Sequence, residues 1–186
     1  MTQPEIQLVS SNEDVESASL PNPLKTLDDI LAQIKLELGA WWIAAQYKQI
    51  IAPMRTRAVA LPVSTKRHSP IEINHTLLGI ELKIGNQRVT CPDLATARYL
   101  RVFARLGCVA VAAPYDISQI SRLADELESS WQRMLILVAH FTHERTAKYQ
   151  SRLLATLTKE LKREIEAQGA GAARPTFIQN TRQRPL

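Results

Sequence analysis

Three arginines at helical spacing are the residues whose type and position most directly indicate chemistry. Arg98, Arg101 and Arg105 follow one another at intervals of three and four residues, which places them within about 60° of one another on one helix. A guanidinium group can donate to two phosphate oxygens at once, so this row suits the binding of nucleic-acid phosphates. One alternative is pairing with carboxylates of a later helix, for which the candidates are Asp125, Glu126 and Glu128. The other is that the row is simply solvated.

Further cations precede this row in the chain. Segment 53–70 contains three prolines, four Lys or Arg residues and no acidic residue. It could bind phosphates, in which case each contact would strengthen binding in a salt-dependent way, or it could be a solvated connector. Its apolar piece at 58–63 could add a strand. The predicted nucleic-acid-binding residues are Arg55, Arg57, Lys66, Arg67, Arg88, Arg98, Arg101 and Arg105.

Two residues of a predicted strand form a second candidate site. Glu81 and Lys83 are two positions apart, so both side chains point to the same face. This E-x-K pattern resembles that of the PD-(D/E)xK nucleases, and the order of elements between residues 27 and 113 is similar to that fold's αβββαβ core. The resemblance implies that Glu81 holds a divalent metal such as Mg²⁺, that Lys83 orients or activates water, and that Glu72 supplies the second acid.

The same residues also have an interpretation without catalysis. An amphipathic hairpin exposes alternate polar residues, and Glu81 and Lys83 could simply occupy that face and pair across to Arg88. In that case the chain needs no cofactor and has no catalytic residue.

Other catalytic and metal-binding patterns are missing from the sequence. His140 and His143 are three residues apart, but no C-x-x-C, H-E-x-x-H or G-x-S-x-G spacing accompanies them. Cys91 and Cys108 have no obvious activating neighbour. We expect both cysteines to be reduced in an intracellular, cytoplasmic protein, although a disulfide is possible if their strands are neighbours.

Composition and charge narrow the class of protein. The chain has 186 residues, 45% of them hydrophobic, and a net charge of +5. Residues 1–24 carry four acidic residues and no Lys or Arg, so the rest of the chain carries +9. A basic body suggests a nucleic acid or an acidic protein as partner, but charge can also serve solubility alone. No apolar run is long enough to span a membrane.

Periodicity predicts the elements that must position these residues. A helix is expected from residue 26 or 27 to just before Pro53, and a β-hairpin with its turn at Gly85 follows near residues 78–90. Pro92 and Asp93 open a second helix at its first two positions, and Gly107 closes it. The apolar run at 108–113 has the length of a strand.

The longest helical pattern covers residues 116–168, with Asp116 as its cap. The apolar phase lapses between residues 142 and 148 and resumes shifted, which predicts a kink or break. The second half should either fold back or project toward a partner helix, where Leu157 and Leu161 would form the contact. Trp41 and Trp42 are consecutive, so one of them could also face a partner.

Together these patterns predict an α+β protein in which an N-terminal helix and a β-hairpin-helix-strand unit pack on a long, kinked C-terminal helix. Residues 1–23 form a disordered acidic tail, 24–168 a single domain with 53–70 as a basic connector, and 169–186 a flexible basic tail. The expected function is a non-catalytic binding or assembly module that contacts nucleic acid without strong sequence preference. The alternatives are a metal-dependent nuclease and a self-associating scaffold, and a homo-oligomer is expected.

Overall fold

The first helix, α1 (Leu27–Leu38), begins at a capping box. The Thr26 hydroxyl accepts from the Asp29 amide at 3.1 Å, and the Asp29 carboxylate accepts from the Thr26 amide at 3.0 Å, so two amides that lack helical partners are satisfied. The structure is a computed structural model that describes residues 26–62, 70–168 and the backbone of 176–177. Helix α1 ends at Gly39, whose φ is +47°.

The expectation of one helix as far as Pro53 is therefore wrong. After Gly39 the chain forms a 3₁₀ turn, a short helix α2 (Ile43–Gln46) and a π-helical turn (Tyr47–Ile51). A positive φ is readily adopted by glycine and not by other residues, so the break occurs where the sequence permits it.

The first sheet is an antiparallel meander of three strands. Its strands are β2 (Ile71–Thr76), β3 (Gly79–Ile84) and β4 (Gln87–Cys91), in that spatial order. The predicted turn at Gly85 joins β3 to β4, where φ of Gly85 is +61°. Leu82 and Ile84 are buried, so one face of this sheet packs on the core.

The second sheet places β5 (Cys108–Pro114) between two other strands. One neighbour is β1 (Thr56–Ala60), which lies within the segment expected to be a connector. The other is β6 (Thr176–Phe177), which lies within the segment expected to be a flexible tail. Strand β1 overlaps the apolar piece at 58–63, for which a strand was one alternative, whereas β6 was not predicted. The backbone groups of β5 need partners on both sides, and composition does not reveal which segments supply them.

Helix α3 (Leu94–Arg105) lies at the centre of the fold, between the first sheet and the next helix. Asp93 is its N-cap and not its second residue, because its side chain accepts from the Thr96 amide at 2.7 Å. Tyr99 and Phe103 are fully buried, and the centres of their rings lie 5.1 Å apart.

The long C-terminal pattern forms two helices, α4 (Ile117–Phe141) and α5 (Ala147–Glu166). The predicted break thus falls at residues 142–146. Helix α5 folds back onto α1, α2 and α4. Leu157 and Leu161 are fully buried within the chain, so the idea that they contact a partner helix is wrong. None of the described helices combines the length and apolarity that crossing a bilayer requires.

The consecutive tryptophans differ in environment, although they lie in and just after the 3₁₀ turn and not on one continuous helix. Trp42 is buried, whereas 37% of Trp41 is exposed and its ring lies under the Arg133 guanidinium at 4.3 Å. The two cysteines are buried free thiols, in agreement with the expectation that they are reduced.

Candidate functional site

Glu81 and Lys83 lie side by side on β3, on the face opposite the buried Leu82. In the register of the first sheet, Lys83 stands between Glu72 on β2 and Arg88 on β4. The Lys83 ammonium lies 3.2 Å from a Glu72 carboxylate oxygen, and Arg88 donates to Glu81 at 3.3 Å. The predicted pairing of this face across to Arg88 is confirmed, and the four charged groups form two ion pairs.

This arrangement limits what the face can do with a metal. Glu72 and Glu81 are diagonal neighbours on adjacent strands, which separates their Cα atoms by about 7–8 Å. Each carboxylate already faces a cation, and within the described residues no three His, Cys, Asp or Glu side chains are grouped to hold a metal ion. A Mg²⁺ site draws on carboxylates together with substrate phosphates. The three residues therefore share one face on which each acid is paired with a cation, and the nuclease alternative stays a prediction.

The arginine row on α3 faces α4. Arg98 lies 2.8 Å from an Asp125 oxygen and 2.7 Å from a Glu128 oxygen, and Arg101 binds the other Glu128 oxygen. Hydrogen bonding to Glu128 raises the pKa of Arg98 above its ordinary value. Ion pairing, the alternative weighed for this row, is therefore what the structure contains. Glu126 pairs with Arg122 instead, at 3.6 Å.

Arg105, the third member of the row, is partly buried. Its guanidinium carbon lies 5.9 Å from the centre of the Trp131 ring, and burial lowers its pKa. A cation over an indole face is stabilised by the ring's electron density. Each arginine of the row is thus engaged with α4, and this weighs against the row as a phosphate-binding surface.

A different pair of predicted cations is exposed. Arg55 precedes β1 and Arg57 lies within it, so the two side chains point to the same face. Neither is paired with a carboxylate of the described residues. Extending the β1–β5 register by one pair places Arg55 opposite Tyr115. The Arg55 guanidinium carbon accordingly lies 5.3 Å from the centre of the Tyr115 ring. Tyr115 is 57% exposed.

We call Arg55, Arg57 and Tyr115 the basic corner. Sequence analysis predicted its two arginines but missed Tyr115, because the pairing of β1 with β5 that brings them together leaves no local signal. The remaining cations of segment 53–70, Lys66 and Arg67, lie outside the described residues. Arg88, on β4 of the first sheet, has a side chain that is 63% exposed but is bound to Glu81, so it is not part of the phosphate-binding surface that we propose.

Comparison with known proteins found no matching family model, no similar curated protein and no similar solved structure.

Proposed function

We propose that this chain is a non-catalytic, intracellular binding module whose basic surface contacts nucleic acid without strong sequence preference. The observation that carries the proposal is the basic corner, where Arg55 and Arg57 are exposed and have no carboxylate partner among the described residues. Arg55 lies against the exposed Tyr115 ring. The two buried free thiols support a reducing, cytoplasmic setting.

The basic corner offers two kinds of contact that nucleic-acid-binding surfaces combine. Arg55 and Arg57 can each bind a phosphate and displace its condensed counterions, which makes binding salt-dependent. The Tyr115 ring can stack on an unpaired base, a contact that every base can make because every base has a π-face. Neither contact reads sequence, so weak sequence preference is expected.

The test is a titration of DNA and RNA at several salt concentrations with the wild-type protein and an Arg55→Gln, Arg57→Gln variant. The logarithm of the binding constant should fall linearly with the logarithm of salt concentration, and the variant should reduce the slope by about two units. The matched control is Arg88→Gln, Arg122→Gln, which removes the same charge from cations that are already bound to carboxylates.

The outcomes separate the alternatives. A smaller salt slope in the basic-corner variant alone supports the proposal. Equal reductions of the slope in both variants would show that binding depends on net charge alone. Absence of measurable binding at low salt would overturn the nucleic-acid proposal and favour an acidic protein partner.

We also propose that the chain self-associates through the surface around Trp41. Trp41, which stacks on Arg133, is 37% exposed. Ile136, one helical turn after Arg133, is 65% exposed. An interface that covers Trp41 and Ile136 would remove their apolar surface from water. Sedimentation should show a dimer at micromolar concentration that Trp41→Ser weakens, and a monomer at all concentrations would contradict the proposal.

A further inference from the structure

The exposed side of α5 carries a straight row of cations. Lys148, Arg152, Lys159 and Arg163 are separated by four, seven and four residues, which keeps all four within about 60° around the helix. At 1.5 Å per residue the row is about 22 Å long. All four residues are exposed, and the first three have no carboxylate partner among the described residues. We call these four residues the α5 row.

Two of the three acidic residues of α5 bind Lys35 of α1. Glu164 binds Lys35 of α1 and accepts a hydrogen bond of 2.6 Å from the Trp42 indole. Glu160 lies 3.5 Å from Lys35 and also binds Arg163, the last cation of the row. The exposed acid is Glu166, which lies on the same side of the helix as the row, one turn beyond Arg163. Residues 147–159 contain no acidic residue, so the first three cations of the row give this side of α5 a positive potential.

The surroundings of the α5 row distinguish between anionic partners. A helix that lies on a membrane inserts its apolar face into lipid, but the apolar face of α5 is buried in the core. Binding of single strands relies on aromatic rings that stack on bases, and the row contains none. The α5 row is a straight line of cations held by a helix. It is complementary in charge to a duplex, where negative charges follow one another about every 1.7 Å along the axis.

We infer that the α5 row lies along the phosphate backbone of duplex nucleic acid. This inference deepens the proposed function and rests on it, because it names the structural class of the nucleic acid that is bound. The basic corner and the α5 row then have separate roles: stacking at Tyr115 favours unpaired bases, whereas the α5 row holds the duplex.

The experiment compares duplex DNA with a single strand of the same sequence, using the Arg152→Gln, Lys159→Gln variant and the Arg88→Gln, Arg122→Gln control. For the duplex, the α5 variant should lower the salt slope by about two units, at about 0.9 per lost phosphate contact. For the single strand, the α5 variant should change the affinity no more than the Arg88→Gln, Arg122→Gln control does. Thermal unfolding of both variants should match the wild type, since the substituted side chains of α5 are exposed.

Each outcome has one meaning. Duplex binding with the same slope in the α5 variant and the control would overturn this inference while leaving the proposed function standing. No binding of either probe by the wild-type protein would remove the proposed function itself. Vesicles that contain phosphatidylserine are the third probe, and binding to them that the α5 variant alone abolishes would assign the row to a membrane surface and overturn the inference.

Discussion

The Trp42 indole nitrogen donates a hydrogen bond of 2.6 Å to the Glu164 carboxylate, and this contact joins the segment after α1 to α5. The Lys35 ammonium lies 5.4 Å from the centre of the same indole ring and also binds Glu164. The carboxylate thus has two donors from the N-terminal part of the chain. This cluster holds α5 against α1.

We therefore predict that Trp42→Phe is more destabilising than Trp41→Phe. The first substitution removes a hydrogen bond to a charged group and should lower the free energy of unfolding by about 1.5–3 kcal/mol. The second keeps an aromatic ring beneath Arg133 and should cost about 0.5 kcal/mol or less. Urea denaturation of both variants measures the difference. Equal costs would show that the Glu164 hydrogen bond contributes nothing to stability.

Glu128 forms ion pairs with two arginines of the row on α3, Arg98 and Arg101. We predict that Glu128→Gln weakens this binding, frees part of the row for phosphates and steepens the salt dependence of nucleic-acid binding by up to about two units. The same variant should lose about 1–3 kcal/mol of stability, since the Glu128 side chain is only 14% exposed.

A matched comparison is Glu126→Gln, which removes the same charge from a residue that pairs with Arg122 on its own helix. It should change both stability and salt slope only slightly. Salt slopes that are identical in the two variants would mean that the α3 row stays inaccessible to phosphates even without Glu128.

The helix starts and the strand periods could be predicted because their causes are local. Asp116 caps α4 as predicted, with a side chain that accepts from the Ser118 amide. Asp93, predicted at the second position of α3, is instead its N-cap, so that helix start was predicted to within two residues. The alternation along β3 likewise reflects one buried and one polar face. Each of these signals is contained within a few consecutive residues.

Contacts between distant segments could not be predicted in the same way. The apolar phase of α5 showed that one side is buried, but not whether α1 or a second chain covers it. Arg98 had three acidic candidates at similar distances along the sequence, and only the packing of α3 on α4 selects Glu128 and Asp125. The basic corner depends on the pairing of β1 with β5, which are separated by about fifty residues.

The charged face of the first sheet leads to a prediction about catalysis. Mg²⁺ or Mn²⁺ should support at most trace cleavage of DNA, because Glu72 and Glu81 are paired with Lys83 and Arg88 and no third ligand from the described part of the chain is grouped with them. Incubation of DNA with protein and metal, resolved by electrophoresis, measures this. Robust cleavage that Glu81→Ala abolishes and Arg122→Gln preserves would establish the nuclease alternative instead.

Alkaline pH should destabilise the protein through buried groups of the core. Burial raises the pKa of Tyr47 from 10.0 to about 12, and burial also raises the pKa of Tyr99 and of the Cys108 thiol, whose ordinary value is 9.0. These groups stay protonated in the folded chain at a pH where the unfolded chain has released their protons. The unfolded state then binds fewer protons, so stability falls as pH rises.

The expected stabilisation is complete below about pH 9 and is lost progressively toward pH 12 and above, by at most about 1.4 kcal/mol per pH unit for each group. Thermal unfolding between pH 8 and 11 should show a falling midpoint, with tyrosinate absorbance from Tyr47 and Tyr99 appearing only together with the loss of structure. Cys108→Ala should have a shallower decline above pH 9, because one of the linked groups is gone. Tyrosinate absorbance that reaches its full value while the circular dichroism is still native would contradict the burial of both rings.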